Sequence, residues 1–127
     1  IFSKILHTGK SIKGHTLLEN KTLKLMHTNA LDKYYFPIEI PSIGIVRDVN
    51  YVNDLQAYGW GLGCRTLMDP LKNNNLGTLG EFGWAGAAST YFLVDNNKDM
   101  SALLMTQVLS GNPELKNDFY KFIYTNF

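Results

Sequence analysis

The sequence predicts an α+β fold: short helices first, then a three-stranded antiparallel sheet, then a closing helix. Three observations carry this. Ile1, Phe2, Ile5 and Leu6 fall at helical spacing. The apolar runs 91–94 and 100–108 flank Asp95-Asn96-Asn97-Lys98-Asp99, a strong turn signal, so 88–108 reads as a hairpin. Leu115, Phe119, Phe122 and Ile123 stand at i, i+4, i+7 and i+8, an amphipathic stripe.

Each element has its own reason. Gly9 supplies a stop for the first helix. Lys10 to Gly14 reads as a turn. A short helix follows over 21–28, with Asn20 as N-cap and Leu23, Leu25 and Met26 on its apolar side. From Asn29 to Ala57 there is little periodicity, because Pro37, Pro41 and Gly44 interrupt it. The segment reads as a meandering connection that lays its isoleucines on the core. Tyr58 to Cys64 alternates strictly, with Gly59, Gly61 and Gly63 on one face of a strand that Arg65 to Leu67 continues. Three glycines on one face imply close approach of another element. Asp69-Pro70 ends that strand. The stretch from Gly80 leads into the second strand, and Ser110-Gly111 breaks the third. Asn112-Pro113-Glu114 opens the last helix with a cap, a proline at the first helical position and an acid in the first turn.

The 127 residues suffice for one domain, read here as a single partial domain over 1–127. A chain that opens at Ile1 rather than Met is read as a piece of something longer. Lys and Arg total 12 against 11 Asp and Glu, and this balance speaks against a nucleic-acid partner. The one cysteine, Cys64, excludes an intrachain disulfide and a Cys-built zinc site, and it suits any compartment. His7, His15 and His27 lack metal-helix spacing and read as surface or helix-end residues. No cofactor or metal is expected. No GxSxG elbow or P-loop is present, and the glycines of 59–63 continue as a strand rather than opening a phosphate-binding helix.

The segment with chemical interest is Gly83 to Ala88, where five of six residues are Gly or Ala and the sixth is Trp84. Small residues at the start of a strand let a ligand lie against main chain, where a free N–H can donate to an oxyanion. The alternative is a tight start to a strand that packs under a helix, and composition alone favours it.

Together, Tyr58-Gly59-Trp60-Gly61-Leu62-Gly63, the stretch Gly80-Glu81-Phe82-Gly83-Trp84-Ala85-Gly86-Ala87-Ala88-Ser89-Thr90-Tyr91-Phe92-Leu93-Val94-Asp95, and Leu103-Leu104-Met105-Thr106-Gln107 resemble the C-terminal third of the beta-lactamase-related serine hydrolases. That group includes class C beta-lactamases, penicillin-binding proteins and carboxylesterases. Leu17-Leu18 with Thr22 to Met26 is similar to its short helix before the core strands, and 1–9 to the end of the preceding helix. The resemblance implies a partial beta-lactamase-like alpha/beta domain. Members use Ser-x-x-Lys, Tyr-x-Asn or Tyr-x-Ser, and a third motif of the Lys-Thr-Gly, His-x-Gly or Trp-x-Gly kind on a strand. Trp84-Ala85-Gly86 matches the third, which implies substrate contact by Trp84, Ala85 and Gly86 and an oxyanion-binding N–H on Ala87. Ala85 stands where close members often have Gly, adding a methyl near the substrate.

The other motifs are missing or misplaced. No serine here has a lysine three residues later. Tyr51-Val52-Asn53 and Tyr124-Thr125-Asn126 spell the second motif away from its family position and read as coincidences; His7-Thr8-Gly9 spells the third at a helix end rather than on a strand. The resemblance therefore implies a parent serine hydrolase for lactams, esters or peptides, peptidoglycan-like ones included. Its remainder, with Ser-x-x-Lys and Tyr-x-Asn or Tyr-x-Ser, would be the partner. This piece alone is expected to be inactive and, with a bare sheet edge or face, to self-associate. The competing readings are a non-catalytic binding or self-association module that reuses the fold, and one chain of a nicked enzyme.

Overall fold

The computed structural model describes residues 1–31, 57–109 and 112–127. Most of the predicted 29–57 connection, Tyr51-Val52-Asn53 within it, and Ser110-Gly111 lie outside the described residues. Two helices, α1 (Phe2–Thr8) and α2 (Asn20–His27), precede the strands β1 (Tyr58–Trp60), β2 (Arg65–Leu67), β3 (Phe82–Ala85), β4 (Tyr91–Asp95) and β5 (Met100–Leu104). Helix α3 (Pro113–Asn126) closes the chain. The strands form one sheet in sequence order, each antiparallel to the next.

The α+β class is as expected, but five strands stand where three were predicted. Residues 58–67 reverse direction at Gly61-Leu62-Gly63-Cys64, where Gly63 takes a left-handed φ of 91° and the Gly61 N–H donates to the Cys64 carbonyl at 2.8 Å. The apolar/glycine alternation runs unbroken through this turn, so periodicity alone does not reveal it. Likewise 80–95 folds back on itself between β3 and β4. Strand β5 ends at Leu104 rather than Val108. Two of the three glycines serve close approach: a Cβ at Gly59 would overlap the Asn29 side chain, and one at Gly61 the Met26 carbonyl oxygen, whereas Gly63 faces open space and serves the turn through its positive φ.

The helix ends follow local chemistry. Gly9 closes α1 with φ 69°, and its N–H donates to the Ile5 carbonyl at 2.8 Å. Asn20 is the first residue of α2 rather than its cap; Glu19 takes the cap position without a side-chain bond. Of the apolar side predicted for α2, Leu23 is buried and Leu25 exposed. The Asn112 side chain caps α3 by accepting the Leu115 N–H at 3.0 Å, as expected.

Leu6 of α1 packs with Cys64, Phe82 and Val94 into an apolar cluster flanked by Met26 and Phe92. The His27 ring stacks on Phe82 with centroids 3.9 Å apart, and burial lowers its pKa. His27 is thus a packed ring as well as the last residue of its helix. Cys64 is buried, which pushes its thiol pKa up and suits a structural role.

Helix α3 departs most from its predicted face. Phe122 is exposed, while Lys116 and Tyr120 are buried. The sheet meets this helix with polar groups. The Arg65 guanidinium donates to the Tyr120 hydroxyl, which donates to Glu81 Oε1 at 3.0 Å, and Arg65 lies 4.6 Å over the Tyr58 ring. One turn on, the Tyr124 hydroxyl donates to Asp95 Oδ2 at 2.9 Å. Tyr124 is therefore a docking residue, in keeping with its Tyr-x-Asn pattern being coincidental.

Burial pushes the Glu81 carboxyl up to about 7 from 4.5, against the opposing charge of Arg65. The folded state thus holds this proton more tightly than the unfolded chain. The associated stability is complete below pH ~4.5 and is lost as pH rises to about 7. Between those values the native protein should lose about 1–3 kcal/mol more than Glu81→Gln, measured as paired urea unfolding curves. Parallel pH profiles would refute this.

Candidate functional site

The site is built where β3 outruns its neighbour. Strand β2 pairs with β3 only at Thr66↔Phe82 and Arg65↔Gly83, then departs into its turn, while β4 continues alongside to Ala85↔Tyr91. The Leu67 N–H donates to the Glu81 carbonyl at 2.7 Å, so Glu81 aims its main chain at β2; the Gly86 N–H donates to the Thr90 carbonyl at 2.8 Å, so Gly86 aims at β4. Main-chain groups alternate along a strand. Ala85 therefore presents its N–H and C=O to the side where β2 has ended, and among the described residues no strand covers it there.

Beyond Ala85 the chain makes a tight hairpin turn. The Ser89 N–H donates to the Gly86 carbonyl at 3.0 Å, which makes Gly86 to Ser89 a β-turn with Ala87 at its second position. Ser89 then adopts φ 57°, the left-handed residue of a three-residue hairpin loop. Serine is an uncommon choice there, and the structure holds it from outside. Its hydroxyl donates to the Val108 carbonyl at 2.9 Å, and the Thr106 hydroxyl lies 2.7 Å from the carbonyls of both Ala88 and Ser89. The Val108 N–H donates to Ala88 O at 3.2 Å. The segment predicted as the end of the third strand is thus a clamp on this turn. Nothing local in the sequence marks Thr106 and Val108 for that task.

The four residues singled out from the sequence come together in this stretch. Trp84 is half-buried, and its indole meets that of Trp60 edge to face at 4.5 Å. Ala85 is buried, whereas Gly86 and Ala87 are exposed. The Ala87 N–H meets no acceptor among the described residues. Gly83 and Ala85 are buried as the packing alternative requires, while Gly86 and Ala87 at the turn stand open. A hollow of about 190 Å³ opens beside Trp84, Ala85 and Gly86, and sequence reasoning missed the residues that complete it: Thr90, Tyr91, Phe92, Leu103 and Met105. Two of these could have been found from register, because Phe92 and Leu103 lie opposite Trp84 across β4 and β5.

The arrangement offers an exposed main-chain donor on a clamped turn, an aromatic wall and an apolar hollow. Among the described residues, no serine, cysteine or lysine side chain lines the hollow. Ser89 is fully buried and spent on Val108. Among the described residues, no three His, Cys, Asp or Glu side chains converge as metal ligands. His7 Nε2 and Asp99 Oδ1 lie 2.7 Å apart, joining α1 to the β4–β5 turn. That also places His7-Thr8-Gly9 at a helix end, as the sequence indicated.

No family model and no curated protein matches the chain. Among solved structures, the chain is similar to simvastatin synthase (LovD) from Aspergillus terreus in its unliganded form, with a TM-score of 0.67 and 20% identity over 99% of this chain. The match takes in 33% of the synthase, so this chain spans about a third of that protein's length. The likeness is one of fold: the chain has the architecture of the C-terminal part of a beta-lactamase-like structure.

Proposed function

We propose that this chain supplies the third-motif strand and one oxyanion donor of a beta-lactamase-like serine hydrolase, one that acts on lactam, ester or peptide carbonyls through an acyl-enzyme. The carrying observation is the Ala87 N–H: exposed, without an acceptor among the described residues, and held on a turn that Thr106 and Val108 clamp. A donor fixed before reaction stabilises developing negative charge without reorganising.

In the proposed reaction a serine from outside this sequence attacks the carbonyl carbon. Its proton passes to a basic partner, and the carbonyl oxygen takes up the negative charge. The Ala87 N–H donates to that oxygen. Trp84 walls the site, and Ala85 and Gly86 keep main chain beside the acyl group. Collapse of the intermediate expels the leaving group, and water then attacks the acyl-serine by the same path. The serine and its lysine and tyrosine partners belong to the rest of the parent protein.

This chain alone should hydrolyse neither p-nitrophenyl butyrate nor a chromogenic lactam above the buffer rate, because the covalent route needs its nucleophile. Joined to a polypeptide that carries Ser-x-x-Lys and Tyr-x-Asn or Tyr-x-Ser, it should turn over at least one of them, and a serine acylator should abolish that turnover. Acylator-sensitive activity of the isolated chain, or an inert reconstituted protein, overturns the proposal. The outer edge of β5, Met100 to Leu104, carries no charge or proline and has no partner strand among the described residues. Such an edge supports the self-association proposed for the isolated chain.

A further inference from the structure

Residues 26–30 run along the outer edge of β1. The Met26 carbonyl fills the space that Gly61 leaves, and the Asn29 side chain the space that Gly59 leaves. Asn29 Oδ1 accepts the Trp60 N–H at 2.9 Å, and the Ala30 N–H donates to the Trp60 carbonyl at 2.7 Å. The main chain of Trp60 is thus held by this short segment, and its indole in turn meets Trp84. His27 lies within the segment and fastens it to the rest of the fold. Its ring stacks on the buried Phe82, 6° from parallel, and Asn96 Nδ2 donates to its Nδ1 at 3.3 Å. An amide nitrogen only donates, so Nδ1 carries no proton in this arrangement. Nε2 is buried and makes no hydrogen bond of normal geometry among the described residues.

We propose that His27 is a proton-operated latch: protonation frees residues 26–30 from β1 and loosens Trp60 against Trp84. The latch itself goes beyond the hydrolase reading, and its effect on the candidate site rests on that reading. The closed arrangement selects the neutral ring. A proton on Nδ1 would set two donors against each other at Asn96. Burial disfavours a charge on the ring, the Leu6 carbonyl eases one, and His7 of α1 opposes it. The Asp99 carboxylate is engaged with His7, and Phe82 and Asn96 bring no counter-charge. Lys24, one turn back on α2, is exposed. The Cys64 thiol, packed on Phe82, has its pKa pushed up by burial and stays neutral. Once the segment opens, the ring regains water and its ordinary pKa. The closed value is lowered from 6.5, so closure is fully favoured above pH ~6.5 and weakens as pH falls below it.

Amide hydrogen exchange of the isolated chain, followed by NMR and corrected for the intrinsic rate at each pH, tests this. From pH 7 to pH 5 the protection of the Trp60 and Ala30 amides should fall by about fivefold or more, the lower end of ordinary coupling between sites. Amides of β4 should not follow, because the raised Glu81 pKa favours the whole fold as pH falls. His27→Phe keeps a ring on Phe82 without a titrating nitrogen and should abolish the fall. Asn96→Asp sets an acceptor opposite Nδ1 and should cancel it in a different way, by holding the protonated ring in place. Constant protection between pH 7 and pH 5, a fall that persists in His27→Phe, or an equal loss across β4 overturns the proposal. The measurement needs no turnover. An inert reconstituted protein with a working latch removes the hydrolase reading alone, and an active one with pH-indifferent Trp60 protection removes the latch alone.

Discussion

Ala87→Pro in the reconstituted enzyme should lower kcat by about 10²–10³-fold, with a much smaller change in KM. Proline removes the one group proposed to act on the oxyanion, its N–H. It should do so without unfolding the turn. Ala87 holds the second position of the Gly86–Ser89 turn and is absent from the residues with positive φ, the conformation in which proline is best tolerated. The hydrogen bonds that clamp the turn come from Thr106, Ser89 and Val108, and none uses the Ala87 N–H. Ala87→Gly keeps the donor and serves as the control, with a rate near that of the parent. Steady-state kinetics on a p-nitrophenyl ester decide the matter: a loss under about fivefold for the proline variant would show that the oxyanion is held elsewhere.

Arg65→Ala should destabilise the chain by about 3–5 kcal/mol, enough to leave α3 without its main anchor. The guanidinium is buried between the Tyr58 and Tyr120 rings and donates to the Tyr120 hydroxyl. Removing it takes away both ring contacts, opens a cavity, and leaves Glu81 buried with less opposing charge. The double replacement Arg65→Met with Glu81→Gln should recover a large part of the loss, because it removes the two charges together and restores volume. Urea unfolding followed by far-ultraviolet circular dichroism measures both. A cost below about 1 kcal/mol for Arg65→Ala would mean that α3 docks through its apolar residues instead.

Parts of the site were legible before the fold was known. The concentration of Gly and Ala around Trp84 left two readings open, a bare main chain or a strand packed under a helix, and the structure exposes Gly86 and Ala87 there. What the residues could not convey was the cause of that exposure: β2 stops pairing two residues short of the end of β3. Such an ending is decided between strands, and no local pattern encodes it. The stripe along α3 misled for a related reason. Leu115, Phe119, Phe122 and Ile123 satisfy helical periodicity, yet the buried face turns on Lys116 and Tyr120 because Arg65, Glu81 and Tyr58 wait on the sheet. A hydrophobic stripe assumes an apolar partner, and here the partner is charged.

Residues acting on their near neighbours were enough to specify where helices stop and start, as Gly9 and Asn112 show, and where the chain must turn, as at Asp95 to Asp99, where the Asp95 carboxylate accepts the Asn97 N–H at 3.0 Å. These depend on dihedral preference and on hydrogen bonds a few residues long. Tertiary structure alone decided the polar seam beneath α3 and the clamp that Thr106 and Val108 place on the turn carrying Ala87. Each of those is a bargain between segments distant in sequence, where the favourable term is burial or a hydrogen bond that exists only once both have arrived.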